Sequence, residues 1–329
     1  MVDGVNSFSS ICSSGRESCS FPAALARRAR SRRDVPSSRP AYDGRMRSIV
    51  TARRRSGEGR GGDELDRRLQ RGLMLAPAGA NVVLQMSRRG VGRGVAESRV
   101  SRGSLVRHPL RRTRTTLTYI WVSLYGTDDE RRELRRNVDA QHRHVRSRPR
   151  DDVAYDAFDA DLQLWVAACM YVGSLQGYET LYGPISPETA ETLLARCSRF
   201  ATTLQVPSRT WPGDRAAFER YWMAALEDVR MDEVTRKYLQ DFVDLRFLAA
   251  PWRHLLGPLH RLLTLGYLPE EIRATLGATW EPRQQQRFER VGAIMRWLNV
   301  VLPVSLAAFP WNLVREDARR RFSRRRPLF

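Results

Sequence analysis

The sequence has almost no lysine, few cysteines and no long apolar run. Lys237 is the only lysine, so arginine carries nearly all the positive charge, a bias typical of a GC-rich genome. The cysteines are Cys12, Cys19, Cys169 and Cys197, and no CxxC pair occurs among them. This spacing argues against a zinc or iron–sulfur site and against a disulfide framework. No stretch of about 18 apolar residues is present, so no membrane-spanning helix is predicted.

The first part of the chain lacks large apolar side chains. Residues 1–64 are rich in Arg, Ser and Gly, and such a segment buries too little surface to offset the entropy of ordering. We therefore predict a disordered basic tail over 1–64. No apolar stretch precedes a small-residue cleavage site, so no signal peptide is predicted. The expected location is the cytoplasm, with peripheral contact with a membrane as an alternative.

Several catalytic signatures are also missing. The glycines at 90, 92 and 94 form neither GxGxxG nor a Walker loop, and no strand pattern precedes them. They are interpreted as a tight loop where backbones approach closely. No nucleophile elbow or Ser-His-Asp motif occurs, which disfavours a hydrolase.

Positive charge is abundant. The net charge is +20 and the isoelectric point is near 11. Such a balance suits acidic partners, either nucleic acid or anionic lipid. The basic run between residues 88 and 114 contains no aromatic residue, so stacking on single-stranded bases is not supported and no specific nucleic-acid partner is expected.

The remaining chain shows helical periodicity and no sustained alternation of apolar and polar residues. The pattern predicts a single multi-helix all-α domain over 65–322, with globin-like or orthogonal helix packing, followed by a basic C-terminal tail over 323–329. The most apolar segment, 155–183, is apolar on most sides and is expected to be central. Asp159 is its expected N-cap, and Trp165 is an expected core residue.

The stretch from 111 to 146 contains most of the residues that could carry chemistry. Arg112 and Thr116 lie one turn apart on a predicted helix. A second helix is predicted to start at Thr127 or Asp128 and to run to about residue 147. On that helix His142 shares the face of its apolar residues, whereas His144 points outward. His254 and His260 are interpreted as structural.

An ordered set of motifs resembles the rubber-oxygenase/MpaB family, and it covers roughly residues 70–320. The motifs are HPLRRTRTTLTYIWVSLYGT (108–127), VDAQHRHVR (138–146), YDAFDADLQLWVAA (155–168), LQVPSRTWPGDRAAFERYW (204–222) and the Leu-Pro segment near 268. Each motif alone is weak, but five in order at sensible spacing are fairly specific.

The resemblance implies an all-helical fold that holds haem b through one axial histidine, which falls on His142. The arginine four residues later falls on Arg146, and the pocket-lining Arg and Thr fall on Arg112 and Thr116. Two positions depart from the family. A lysine that can occupy the distal side in rubber oxygenases is replaced here by Thr115, and a histidine found in many members by Ala167.

Two hypotheses follow. In the first, the protein is an oxidoreductase, a haem-dependent oxygenase that uses O2 on an apolar, isoprenoid or lipid-like substrate. His142 is then the iron ligand, and Arg112 and Arg146 pair with the haem propionates. Thr116 hydrogen-bonds a propionate or a distal ligand, and Arg112 and Thr116 line the reaction site. In the second, the protein is a non-catalytic helical protein that binds a partner or an anionic membrane surface through its basic face.

Overall fold

The computed structural model describes residues 64–97 and 107–329, and the predicted all-α fold is confirmed there. Within these two ranges there is no β-strand, and a single antiparallel bridge pairs Arg146 with Asp156. Residues 64–69 are helical, and short 3-10 helices span Gly72–Leu75 and Ser208–Thr210. The predicted tail over 1–64, apart from Glu64, lies outside the described residues.

Thirteen named α-helices follow in chain order. They are α1 (Ala78–Met86), α2 (Arg89–Ala96), α3 (Pro109–Tyr125), α4 (Asp128–His142), α5 (Ala160–Tyr182), α6 (Pro187–Thr202), α7 (Arg215–Glu227), α8 (Glu233–Val243), α9 (Ala250–Gly266), α10 (Glu270–Leu276), α11 (Pro282–Val301), α12 (Val304–Ala307) and α13 (Trp311–Ser323). Leu65–Phe329 forms one compact unit.

Helix α5 lies at the centre of the main core, as its apolar composition predicts. The Asp159 side chain accepts hydrogen bonds from the amides of Asp161 and Leu162 at 2.8 and 3.1 Å, so the expected N-cap is confirmed. Gly183 ends the helix with a φ of 81°, a conformation that costs glycine little. Helices α1, α6 and α11 pack against α5. Trp165 on α5 is fully buried.

Helix α4 begins as predicted but ends earlier. Thr127 forms a capping box with Glu130, and three acids occupy the first turn. The helix ends at His142, so the prediction that it continues to about residue 147 is wrong. Beyond it the chain pairs with a later segment, because Ala157 N donates to Val145 O and Ser147 N donates to Tyr155 O. This long-range pairing replaces the next turn of helix.

The glycines at 90, 92 and 94 lie inside helix α2, so the predicted loop is wrong. Their small size lets α2 pack closely on its neighbours. A Cβ added at Gly92 would lie 2.6 and 2.8 Å from Thr235 side-chain atoms on α8. At Gly94 the nearest atom would be a Tyr155 ring carbon at 3.4 Å, an ordinary van der Waals contact. The predicted close approach of other chain segments to these glycines is therefore found, but in a helix and not in a loop.

This difference makes a matched pair of substitutions informative. We expect Gly92→Ala to lower the free energy of unfolding by about 1–3 kcal/mol, because the methyl group overpacks the α2–α8 contact. Gly94→Ala is expected to be neutral or to stabilise by up to about 1 kcal/mol, through higher helix propensity. Chemical denaturation of both variants checks this, and equal destabilisation would contradict the packing argument.

The predicted basic C-terminal segment, 323–329, contains a buried anchor. Leu328 is fully buried in a second apolar cluster with Leu134 and Val138 of α4. Its amide donates to Asn137 Oδ1 at 3.0 Å, and its carbonyl accepts from Arg114 Nη2 at 2.7 Å. The end of the chain thereby holds α3 and α4 together, the two helices that carry Arg112 and His142.

Candidate functional site

His142 occupies the last position of α4, and its imidazole is half-buried. The Phe158 ring meets it edge-on, with centroids 6.1 Å apart and an interplanar angle of 81°. Its Nδ1 atom is buried, and no described residue gives it a hydrogen bond. A buried imidazole nitrogen without a partner is costly, so its presence needs an explanation. A bound ligand that accepts or donates a hydrogen bond at Nδ1, or coordinates it, is one such explanation.

The environment of His142 favours the neutral imidazole. Burial lowers the pKa of His142, and the nearby positive charge of Arg112 lowers it further. The carboxylates of Asp139 and Asp156 act in the opposite direction. Since neutral imidazole is the form that binds metal ions, this environment suits a metal ligand. Asp139 Oδ1 already accepts from Gln205 Nε2 at 2.6 Å, so that oxygen is engaged elsewhere.

Arg112 lies in the first turns of α3 and is electrostatically close to His142. Its side chain remains accessible, yet desolvation by surrounding protein lowers the pKa of the Arg112 guanidinium. Within 64–97 and 107–329 no carboxylate pairs with it, whereas nearby Arg114 pairs with Asp317 at 2.9 Å. An unpaired and partly desolvated guanidinium suits an anionic ligand group.

Thr116 and Arg146 form no hydrogen bond or ion pair with His142 or with the Arg112 side chain in the described residues. Thr116 is exposed one turn beyond Arg112 on α3. The Thr115 hydroxyl donates to the Arg112 carbonyl at 2.9 Å, so it serves the helix backbone. Arg146 is held by its backbone bridge to Asp156, and its side chain is exposed without an ion pair in the described part of the chain. The structure therefore brings Arg112 to His142 and gives no contact that brings Arg146 to either.

The other histidines are separate from this cluster. His144 is exposed, so its predicted outward orientation is confirmed. His254 is exposed on α9. The His260 ring is half-buried with Nδ1 3.0 Å from Val243 O, a packing role consistent with the structural interpretation.

Tyr238 is a residue that the sequence did not single out. It lies on α8, and its buried hydroxyl has no hydrogen-bond partner among the described residues. Burial raises the pKa of the Tyr238 phenol, whereas the charge of Arg112 opposes the rise. Arg112 is thus close enough to interact electrostatically with both His142 and Tyr238. Helical periodicity around position 238 could not predict that Tyr238 lies near Arg112, because this proximity results from the packing of α8 in the folded protein.

The described residues offer few other side chains that could bind a metal ion. In the described ranges no group of three or more His, Cys, Asp or Glu side chains could hold a bare metal ion. Cys169 and Cys197 are buried and free, whereas Cys12 and Cys19 lie outside those ranges. A porphyrin supplies four iron ligands itself, so a single imidazole such as that of His142 suffices for haem.

None of the described helices combines the length and the apolar character needed to cross a bilayer.

Comparisons with known proteins identify the family of this chain. Two curated relatives, each 41% identical over 246 residues, are the "Uncharacterized protein Mb2261" of Mycobacterium bovis and the "Uncharacterized protein Rv2237" of Mycobacterium tuberculosis. The alignments cover 75% of this chain and 96% of each relative. No solved structure matches the chain significantly. The profile described as "ER-bound oxygenase mpaB/B'/Rubber oxygenase, catalytic domain" matches residues 66–297, and the chain therefore belongs to the MpaB/rubber-oxygenase catalytic-domain family.

Proposed function

We propose that this protein is a haem b-dependent oxygenase that acts with O2 on an apolar substrate of isoprenoid or lipid type. Membership of an oxygenase family supports the general activity. The proposal that the cofactor is haem rests on the neighbouring side chains of His142 and Arg112. His142 has a buried, unpartnered nitrogen. Arg112 is an accessible cation, it lowers the pKa of His142, and it has no carboxylate partner in the described residues.

The residues present fit a haem in their chemistry. His142 would hold the iron as a neutral imidazole, since burial and Arg112 both disfavour its protonated form. Arg112 would pair with a propionate, for which its planar fork is suited, and Arg146 would meet the second propionate from the turn after α4. When bound, haem supplies the activation of O2 that oxygenation of an apolar chain requires.

The remaining roles fall to side chains near Arg112. The Thr116 hydroxyl would hydrogen-bond a propionate or a distal ligand. Tyr238, which interacts electrostatically with Arg112, would offer its unpartnered hydroxyl as a donor to a polar group of the ligand. Neither Thr115 nor Ala167 can replace the lysine or the histidine of other members.

Titration of the purified protein with haemin tests this proposal. We expect a Soret band that saturates at one haem per chain. Arg112→Ala should weaken haem affinity about 10-fold to 100-fold, because it removes a charge-assisted contact worth about 1.5–3 kcal/mol. Arg111→Ala, one residue away and exposed, is the matched control and should bind like wild type. Equal loss in both variants would contradict a specific propionate contact.

The second hypothesis, a non-catalytic helical protein, predicts a different result. A protein that works only by binding a partner should give no saturable Soret band with haemin. That outcome would leave the fold and the family assignment unchanged and would overturn the proposed cofactor. Oxygen consumption by the haem-loaded protein with squalene as a probe, compared with protein lacking haem, then tests the substrate class.

A further inference from the structure

Helix α9 turns an apolar face to solvent. Trp252, Leu255, Leu256 and Leu259 follow the spacing of one helical face, and their exposed fractions are 59%, 68%, 46% and 50%. Helices that belong to a core bury such a face. Contiguous exposed apolar surface of this kind marks a site for a protein or a membrane.

Exposed apolar side chains also occur on α11 and on α12. Helix α11 packs against α9, and its C-terminal half exposes Trp297 by 62% and Val300 by 81%. Val304, at the start of α12, is 77% exposed. We call the exposed apolar side chains of α9, of the second half of α11 and of α12 the apolar face. Trp252 and Trp297 on this face are the exposed members of the chain's eight tryptophans.

The charges in these segments have one sign. Residues 250–269 and 290–307 contain no Asp or Glu, whereas Arg253, Arg261, Arg290 and Arg296 lie within them. Arg261 pairs with Asp244 of the segment before α9, at 2.6 Å. Arg290 and Arg296 are exposed on α11, the helix that also carries Trp297. Apolar side chains combined with arginines and no acids match the composition of helices that lie in the interface of anionic membranes.

We propose that the apolar face is a peripheral docking surface for the interface of an anionic lipid bilayer. Tryptophan is enriched at the level of lipid headgroups, where its ring is buried and its N–H stays wet. Arginine at the edge of the face would pair with lipid phosphates. Two copies of a chain with net charge +20 repel each other, which disfavours pairing of two such faces. The inference does not depend on haem or on the proposed oxygenase activity.

Vesicle binding with a tryptophan readout tests the proposal on the full chain. The probes are vesicles of phosphatidylcholine alone and of an equimolar mixture of phosphatidylcholine and phosphatidylglycerol. We expect stronger co-sedimentation with the anionic vesicles, together with a blue shift of tryptophan emission. The double variant Trp252→Ser/Trp297→Ser should lose the shift and bind at least about tenfold more weakly.

A matched variant separates this face from exposed apolar residues in general. Met223→Ser/Val234→Ser replaces two side chains that are 40% and 45% exposed on α7 and α8. It should bind vesicles like wild type, and equal weakening in both double variants would overturn the proposal. Thermal melts establish that both variants are folded, which is expected because all four side chains are exposed.

Other results would also overturn the proposal. Residues 1–63 are rich in arginine and contain no tryptophan. Binding through that segment alone would give co-sedimentation without a blue shift. If sedimentation velocity shows a dimer that the Trp252→Ser/Trp297→Ser variant dissociates, the apolar face is an interface between copies. Absence of binding to anionic vesicles would reject the membrane assignment directly.

Discussion

Trp165→Ala is expected to lower the free energy of unfolding by about 3–5 kcal/mol, because it opens a cavity in the main core. The Trp165 ring stacks on Trp222 at 5.1 Å with an interplanar angle of 9°. Its Nε1 donates to Gln85 O at 3.1 Å, and the guanidinium of Arg88 lies 5.3 Å from the ring centroid. One side chain thus links α5 to α7 and to the end of α1. Urea denaturation followed by circular dichroism measures the loss.

Two further variants test the origin of that effect. Trp252→Ala removes a tryptophan that is 59% exposed, and it should change stability by less than about 0.5 kcal/mol. Trp165→Phe keeps much of the ring volume but leaves the Gln85 carbonyl without its donor, so an intermediate loss is expected. If Trp165→Ala were no more destabilising than Trp252→Ala, the central position of α5 would be wrong.

Helix starts were predictable from sequence because their causes are local. Thr127 and Asp159 each cap the helix that follows, and each lies within three residues of the amide it binds. The apolar composition of α5 similarly predicted its burial. The end of α4 was not predictable in this way. It depends on two hydrogen bonds between distant segments, from Ala157 N to Val145 O and from Ser147 N to Tyr155 O, which periodicity does not record.

The candidate site was only partly predictable for the same reason. The motif resemblance selected His142 and Arg112, and the structure places them within electrostatic reach of each other. Helical spacing alone could not relate them, because they lie on different helices joined by the turn at Gly126. Tyr238 joins them through the docking of α8, and no motif marks it. Contacts between distant segments thus account for the part of the site that the sequence did not reveal.

If His142 holds the iron as proposed, His142→Ala is expected to lower haem affinity by at least about 100-fold and to remove or strongly shift the Soret band. The matched control is His144→Ala, since His144 is two residues away, exposed and outside helix α4. It should retain the wild-type spectrum and affinity. Titration with haemin, followed by absorption spectroscopy under identical conditions, compares the two variants directly.

Chemical rescue separates loss of the ligand from loss of the fold. His142→Gly leaves space for free imidazole, which should restore the Soret band when added to the haem-treated variant, whereas a misfolded protein would gain nothing from it. A wild-type spectrum in His142→Ala would keep haem in the protein but move the ligand to another residue. The Arg112→Ala result would then show whether Arg112 contributes to haem binding independently of His142. The His142 and Arg112 variants together therefore answer two separate questions: whether the protein binds haem, and which residues hold it.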